Sequence, residues 1–331
     1  MRLGEEAAEL GLGDRQVRLR TGERVPYGRL ILTGGAHAFV PPLVGALREG
    51  VFSLRTVRDA RAILAHLEPG MPCVCLGGGV QGLETAAGLA KRGARVTVLE
   101  ALEWLMPQQL NRRAGELLAA HLADLGIAVR TPTRVKELVG DERVAGVELE
   151  DGTHLDADCV VTATGVQPNS YLARRAGLAV NRGVVVDDRL RASHPDVFAA
   201  GDVAEHRGVL YGSWAAAQHE GRIAGISAAG AATDFGGLAR SHALKVVGVN
   251  VLSIGRFEPG DAGFAVVEDE ADGRYARFVF HDGRLVGAVL FGDTSAARPV
   301  TKAIEQGMDC ANLLAKRPTT AEVIEELRSR A

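Results

Sequence analysis

The sequence is short of cysteine, of charge imbalance and of long apolar runs, and each shortage removes a class of protein. Cys73, Cys75, Cys159 and Cys310 are the four cysteines in 331 residues. None forms a C-x-x-C or C-x4-C pair, so neither a redox dithiol motif nor a metal-ligand spacing is present. Cys73 and Cys75 alternate on an expected strand and face one side of it, a strained geometry for a disulfide. The pattern reads as small buried residues in a reducing cytoplasm. Lys and Arg number 38 against 41 Asp and Glu, a formal net charge of −3. A nucleic-acid binder usually carries a strongly basic balance, so that class is set aside. No run approaches the roughly 18 apolar residues of a membrane span. The opening MRLGEEAAELGLG carries acids and no apolar leader core, so no signal peptide is expected. Repeats, low-complexity tracts and metal clusters are absent from the pattern too.

What is there suits an α/β protein of two or three domains. The chain is 47% hydrophobic and holds 41 glycines, enough for a substantial core and many tight turns. Residues 14–35 read as two short strands around Thr21-Gly22, then a buried strand ending in glycines. Residues 56–67 read as a helix opened by Thr56, with Asp59 in its first turn. Next comes the most regular part. PCVCLGGG is an apolar strand entering glycines, VQGLETAAGLAKRG a helix closed by Gly93, and ARVTVLE a second apolar strand. A β-α-β unit of this kind pairs its strands in parallel. A helix is expected over about 110–125, and short strands over 127–163, with a hairpin at Asp151-Gly152. VFAAGDVAEH, residues 197–206, is a strand ending in a glycine and an acid. An Ala-rich helix follows from about Ser213. From about Arg240 an antiparallel meander and two or three helices form a separate α+β domain.

Gly77, Gly79 and Gly82 form a Gly-x-Gly-x-x-Gly between the strand and the helix of that unit. Gly77 allows the tight turn, Gly79 lets a pyrophosphate approach the backbone, and Gly82 packs helix on strand. Glu100 ends the second strand, where an acid accepts hydrogen bonds from the adenosine ribose. It also repels a 2′-phosphate, so NADH is favoured over NADPH. Glu84 lies in the start of the helix, and two roles stand level for it. It complements the helix dipole, or it touches the nicotinamide amide.

Several separate motifs together resemble the FAD-dependent pyridine nucleotide-disulfide oxidoreductase superfamily, in its order and over essentially the whole chain. LILTGGAH (30–37) looks like the first strand-to-glycine crossover, and FSLRTVRDA (52–60) like the segment whose arginine contacts the flavin. CLGGGVQGLE (75–84) is similar to the NAD loop, and TATGVQPN (162–169) to the second crossover beside it. VFAAGDVAEH looks like the ribityl-binding strand, and YGSWAAAQHEGRIAG like the helix whose N-terminus faces the flavin ring. The resemblance thus implies Gly165 at the NAD site, and Thr33, Gly35, Arg55, Gly201, Asp202, Ser213 and Trp214 around FAD. Trp214 has an alternative role as a core aromatic. HALKVVGVNVLSIGRFEPGD and GRLVGAVLFGDTS narrow the likeness to NADH:rubredoxin reductases and the flavin module of NAD(P)H nitrite reductases.

Two departures stand out. The first crossover reads Thr33-Gly34-Gly35 in place of Ala-Thr-Gly. The family's opening β-α-β unit, with its own glycine loop for the FAD pyrophosphate, has no counterpart; the shortfall is roughly 70 residues. Gly11-Leu12-Gly13 is rejected as a substitute, because Gln16 stands where the third glycine belongs and no apolar strand precedes it.

The expected architecture is two Rossmann-like three-layer domains, the FAD one incomplete and the NAD one complete, plus the α+β domain. Its divisions are 1–67 and 179–238 for FAD, 68–178 for NAD(P), and 239–331 at the C-terminus. The implied function is an FAD-dependent NAD(P)H oxidoreductase. Hydride passes from NADH to flavin, and electrons go on to rubredoxin, a ferredoxin-like protein or a nitrite reductase Fe–S domain. One alternative is a truncated or split NAD-binding subunit without stable FAD, completed by a partner chain or a homodimer. Another is an NADH oxidase or peroxidase. No residue is assigned a covalent catalytic role. Arg174-Arg175 and His194, His206, His219 and His281 read as surface or packing residues.

Overall fold

The computed structural model describes residues 1–238 and 241–330. In chain order the first strands are β1 (Ala7–Gly11), β2 (Gln16–Leu19), β3 (Arg24–Pro26), β4 (Leu30–Leu32) and β5 (Ala36–Ala38). Then come β6 (Val51–Ser53), α1 (Val57–His66), β7 (Pro72–Leu76), α2 (Val80–Ala90), β8 (Arg95–Leu99), α3 (Arg112–Asp124) and β9 (Ala128–Arg130). β10 (Val135–Val139), β11 (Gly146–Leu149), β12 (His154–Asp156), β13 (Cys159–Thr162), β14 (Val166–Pro168) and α4 (Tyr171–Arg175) follow. β15 (Val184–Val186), β16 (Val197–Ala199), β17 (Ala204–His206) and α5 (Trp214–Ala228) complete the middle. The C-terminal part holds β18 (Ser241–Val246), β19 (Val249–Gly255), β20 (Phe264–Ala271), β21 (Arg274–His281) and β22 (Arg284–Phe291). It ends in α6 (Ala297–Glu305), α7 (Ala311–Leu314) and α8 (Thr320–Ser329).

The chain divides into two compact units, Met1–His37 with Val166–Leu238, and Ala38–Gly165 with Ala239–Ala331. Residues 38–67 therefore side with the NAD part and not with the first 37. The cause is β6, which pairs in parallel with β13, Val51 opposite Val160. Residues 166–178 go the other way and carry β14 and α4 into the first unit.

The larger unit is built on a parallel sheet in the order β6-β13-β7-β8-β9. Its central strands read as unbroken apolar runs because both faces are covered. Cys73 and Cys75 share the face packed by Leu83, Ala86, Leu118 and Leu122 of α2 and α3. Val74 and Leu76 take the opposite face, against Leu138, Val147 and Leu149 of the antiparallel sheet β10-β11-β12. The C-terminal sheet runs β18-β19-β22-β21-β20. It is antiparallel throughout, yet not one meander: the β18–β19 hairpin docks on β22. Phe278, Phe280 and Leu290 form its core with Val300, Val323 and Leu327 of the helices.

In the smaller unit β1-β2-β3 is an antiparallel sheet, so Gly11 closes a strand of a hairpin and no helix follows it. A strand does precede Gly11-Leu12-Gly13, but it turns back on β2. β4 pairs in parallel with β16, Leu30 opposite Val197. It is only partly buried, with Ile31 exposed, because its strand pairing among the described residues is limited to β16. α5 packs on both strands.

Candidate functional site

The glycine loop at the end of β7 has three glycines with three different reasons. Gly77 sits at φ +110°, and a Cβ there would come within 2.5 Å of the Ala163 carbonyl. A Cβ on Gly82 would meet the Gly77 carbonyl at 1.9 Å. Gly79 has nothing within 4 Å of its Cβ position. It is the N-cap of α2, with no side-chain cap and no acid in the first turn. The helix thus begins without a capping side chain, the kind of end that takes an anion.

Glu100 closes the loop from β8. Its Oε2 accepts the Gly78 N–H at 2.7 Å and its Oε1 accepts the Leu102 N–H at 2.8 Å. Each oxygen keeps a second lone pair for a ribose hydroxyl. The second crossover lies against the same loop: the Ala163 N–H donates to the Leu76 carbonyl at 2.8 Å. Gly165, two residues on, has φ +108° and open space at its Cβ position. Gly77, Gly79, Gly82, Glu100 and the crossover into Gly165 are therefore brought together in one unit, and this set fits a dinucleotide.

Glu84 is the exception. It is the fifth helical residue of α2, past the first turn. Its Oε1 accepts the Val247 N–H at 2.7 Å, in the turn between β18 and β19. Helix-dipole complementation in a first turn is thereby corrected to a tie between α2 and the C-terminal sheet. The N–H it satisfies belongs to a valine held at φ +50°, a region a β-branched residue avoids.

In the smaller unit the Ala200 N–H donates to the Leu32 carbonyl at 3.0 Å. Thr33 and Gly201 thus leave neighbouring parallel strands side by side. Gly201 has φ +78°, and its Cβ position lies 3.5 Å from Ala217 in the first turns of α5. Asp202 follows, half-buried. Ser213 caps α5, its Oγ accepting the Ala216 N–H at 3.3 Å. Trp214 is 76% exposed, which removes its reading as a core aromatic. Gly35 stands at φ +64° with open space before it. Thr33, Gly35, Gly201, Asp202, Ser213 and Trp214 all lie in this unit, with the Thr33 and Gly201 turns adjacent and the start of α5 against the second. No glycine turn between a strand and a helix occurs among residues 1–35 to take a pyrophosphate. Arg55 belongs to the other unit. It is exposed and stands just before the capping box of Thr56 and Asp59.

One residue escaped the sequence reading. Glu220 lies on the buried stripe of α5, and its Oε2 accepts the Gly201 N–H at 2.6 Å. Burial, then the nearby Asp202 carboxylate, push its carboxyl up to about 7. The signal was an acid at an apolar register of an Ala-rich helix. His206 is a packing residue: it is buried on β17 and paired with Asp188 at 2.8 Å.

The cysteines are all free and buried. Cys159 stands opposite Cys73 in the parallel register. Burial pushes the Cys75 thiol up to about 12, so it is no thiolate at neutral pH. Among the described residues no three His, Cys, Asp or Glu side chains gather to hold a metal ion. No helix among them is long and apolar enough to cross a membrane.

Residues 1–221 match the family model described as pyridine nucleotide-disulphide oxidoreductase. The chain belongs to the pyridine nucleotide-disulphide oxidoreductase family. Residues 241–308 match a second model, the rubredoxin NAD+ reductase C-terminal domain. Nitrite reductase [NAD(P)H] of Bacillus subtilis (strain 168) is 37% identical over 286 residues, covering 86% of this chain and 36% of that protein. NADH-rubredoxin oxidoreductase of Clostridium acetobutylicum is 28% identical over 309 residues, covering 93% of this chain and 77% of the other. Among solved structures, an FAD-dependent pyridine nucleotide-disulphide oxidoreductase from Desulfovibrio vulgaris superposes with a TM-score of 0.81 at 27% identity. That match covers 98% of this chain and 88% of that one. The chain spans 36% of the length of the Bacillus nitrite reductase and 33% to 38% of three further curated relatives. The family is FAD-dependent and uses NAD(P)H, as the glycine loop and the Gly201-Asp202 turn imply.

Proposed function

We propose that this chain is the flavin-reducing part of an NAD(P)H-dependent electron-transfer enzyme, with NADH as its nucleotide. The observation that carries the reading is the open, uncapped N-terminus of α2 at Gly79, with Glu100 hydrogen-bonded across the same loop. The α2 N–H groups hold the pyrophosphate, and Glu100 holds the adenosine ribose and turns away a 2′-phosphate. Asp202 accepts hydrogen bonds from a flavin hydroxyl, and Trp214 shields the ring from water. A bound flavin supplies the acceptor for the hydride and the donor of single electrons. The C-terminal match and the names of the relatives favour an iron–sulfur carrier as acceptor, of the rubredoxin, ferredoxin-like or nitrite reductase kind.

A second reading, a NAD-binding subunit without firmly held FAD, is favoured by the hairpins β1-β2-β3 over residues 7–26, which offer no glycine turn for a pyrophosphate. It needs a partner chain or a second copy to finish the flavin site. The oxidase or peroxidase reading calls for a catalytic cysteine other than the four buried ones. Anaerobic mixing of the chain, added FAD and NADH separates the first two. Loss of flavin absorbance with saturating NADH dependence supports the reductase. NADH binding without flavin bleaching supports the subunit.

A further inference from the structure

Helix α5 carries a carboxylate where its packing asks for an apolar residue. Its buried face is Ala216, Glu220, Ile223, Ala224 and Ser227, the spacing of one helix stripe. Glu220 is 2% exposed. Its Oε2 takes the Gly201 N–H at 2.6 Å, at the residue before Asp202. Helix and turn are in direct contact here, since the Gly201 Cβ position lies 3.5 Å from Ala217.

The surroundings are poor in charge. β4 and β16, the strands under α5, bring Leu30, Ile31, Leu32, Val197, Phe198 and Ala199, none of them titratable. Arg29, just before β4, donates to the Ser227 and Ala228 carbonyls at the far end of α5. On α5 itself His219 lies against Phe235 and Arg222 is exposed. Among the described residues, Asp202 is the charge that bears on Glu220. Burial is the larger cause that favours the neutral form of Glu220, and the Asp202 carboxylate adds to it.

We propose that Glu220 is a positioning residue for the Asp202 contact: as the neutral acid it holds the Gly201-Asp202 turn in place, and a flavin bound there draws a proton onto it. The inference rests on the flavin reading of Asp202 and deepens it. A ligand lying over the turn expels the remaining water. That raises the cost of a charge on Glu220 and favours its neutral form. By linkage, binding then weakens as Glu220 ionises in the free protein.

Riboflavin is the probe, because it carries the ribityl chain and ring and no phosphate that titrates. Its affinity for the full chain, read by quenching of flavin fluorescence, is expected to fall several-fold between about pH 6 and about pH 8. The slope should stay below about tenfold per pH unit, the limit for one proton. Glu220→Gln keeps a neutral acceptor for the Gly201 N–H and is expected to hold the low-pH affinity throughout. Glu220→Ala is expected to bind weakly at every pH. A flat wild-type profile, or the same fall in Glu220→Gln, overturns the proposal while leaving the flavin reading intact. No riboflavin binding in any variant overturns both. The urea midpoint gives an independent check on the proton. With a raised carboxyl, stability is full below the unfolded value and is lost as pH rises through about 7. That loss should be absent in Glu220→Gln, and its persistence there counts against Glu220 as the titrating group.

Discussion

Gly79 and Gly82 stand three residues apart and answer to different constraints. Gly82 is needed by the fold, because its Cβ position is 1.9 Å from a backbone carbonyl. Gly79 is not, because its Cβ position is open and its φ of −82° suits any residue. Gly82→Ala is therefore expected to lower stability by about 3 kcal/mol, read as a urea midpoint. Gly79→Ala should leave the midpoint within about 0.5 kcal/mol and still weaken NADH by at least about tenfold, since the methyl group stands where the pyrophosphate approaches. Equal effects of the two on stability would show that the loop is not poised as described. Glu100→Arg should weaken NADH and relax the discrimination against NADPH, followed by nicotinamide fluorescence. A mutant that keeps the selectivity of the native chain would remove Glu100 from the ribose site.

At the scale of the element, the helices announce themselves because their ends are local. Thr56 and Asp59 close a capping box within four residues, and Gly93 stops the turn after α2 at φ +89°. β7 and β13 of the NAD sheet were legible in the same way, as apolar runs entering glycine. β6 was not, because its place depends on pairing with β13, far along the chain. Nor was Glu220, whose burial depends on which face of α5 meets the sheet. Glu84 shows the same limit: its partner, Val247, lies in another domain of the sequence. Glu84→Ala is expected to cost about 1 kcal/mol, the usual worth of a hydrogen bond lost to a buried amide, with NADH affinity unchanged. A large loss of NADH affinity at unchanged stability would return Glu84 to the nicotinamide.

At the scale of the whole molecule, the proposed reading gives the smaller unit the ring and ribityl end of a flavin and the larger unit a dinucleotide loop. The chain is expected to bind one NADH firmly and FAD substoichiometrically. Riboflavin, FMN and FAD should then bind with affinities within about threefold of each other, because the added phosphates and adenine meet no built cradle. A yellow preparation holding one FAD per chain would overturn that expectation. The sequence has two tryptophans, and they fall one to each compact unit: Trp214 in the smaller and Trp104 in the larger. Trp214 stands in water, whereas the Trp104 indole N–H is bound to the Leu110 carbonyl at 2.8 Å. The protein thus carries a separate optical label on each half, one emitting to the red and one to the blue. Trp104→Phe and Trp214→Phe variants turn a single emission spectrum into two unfolding curves, each blind to the other half.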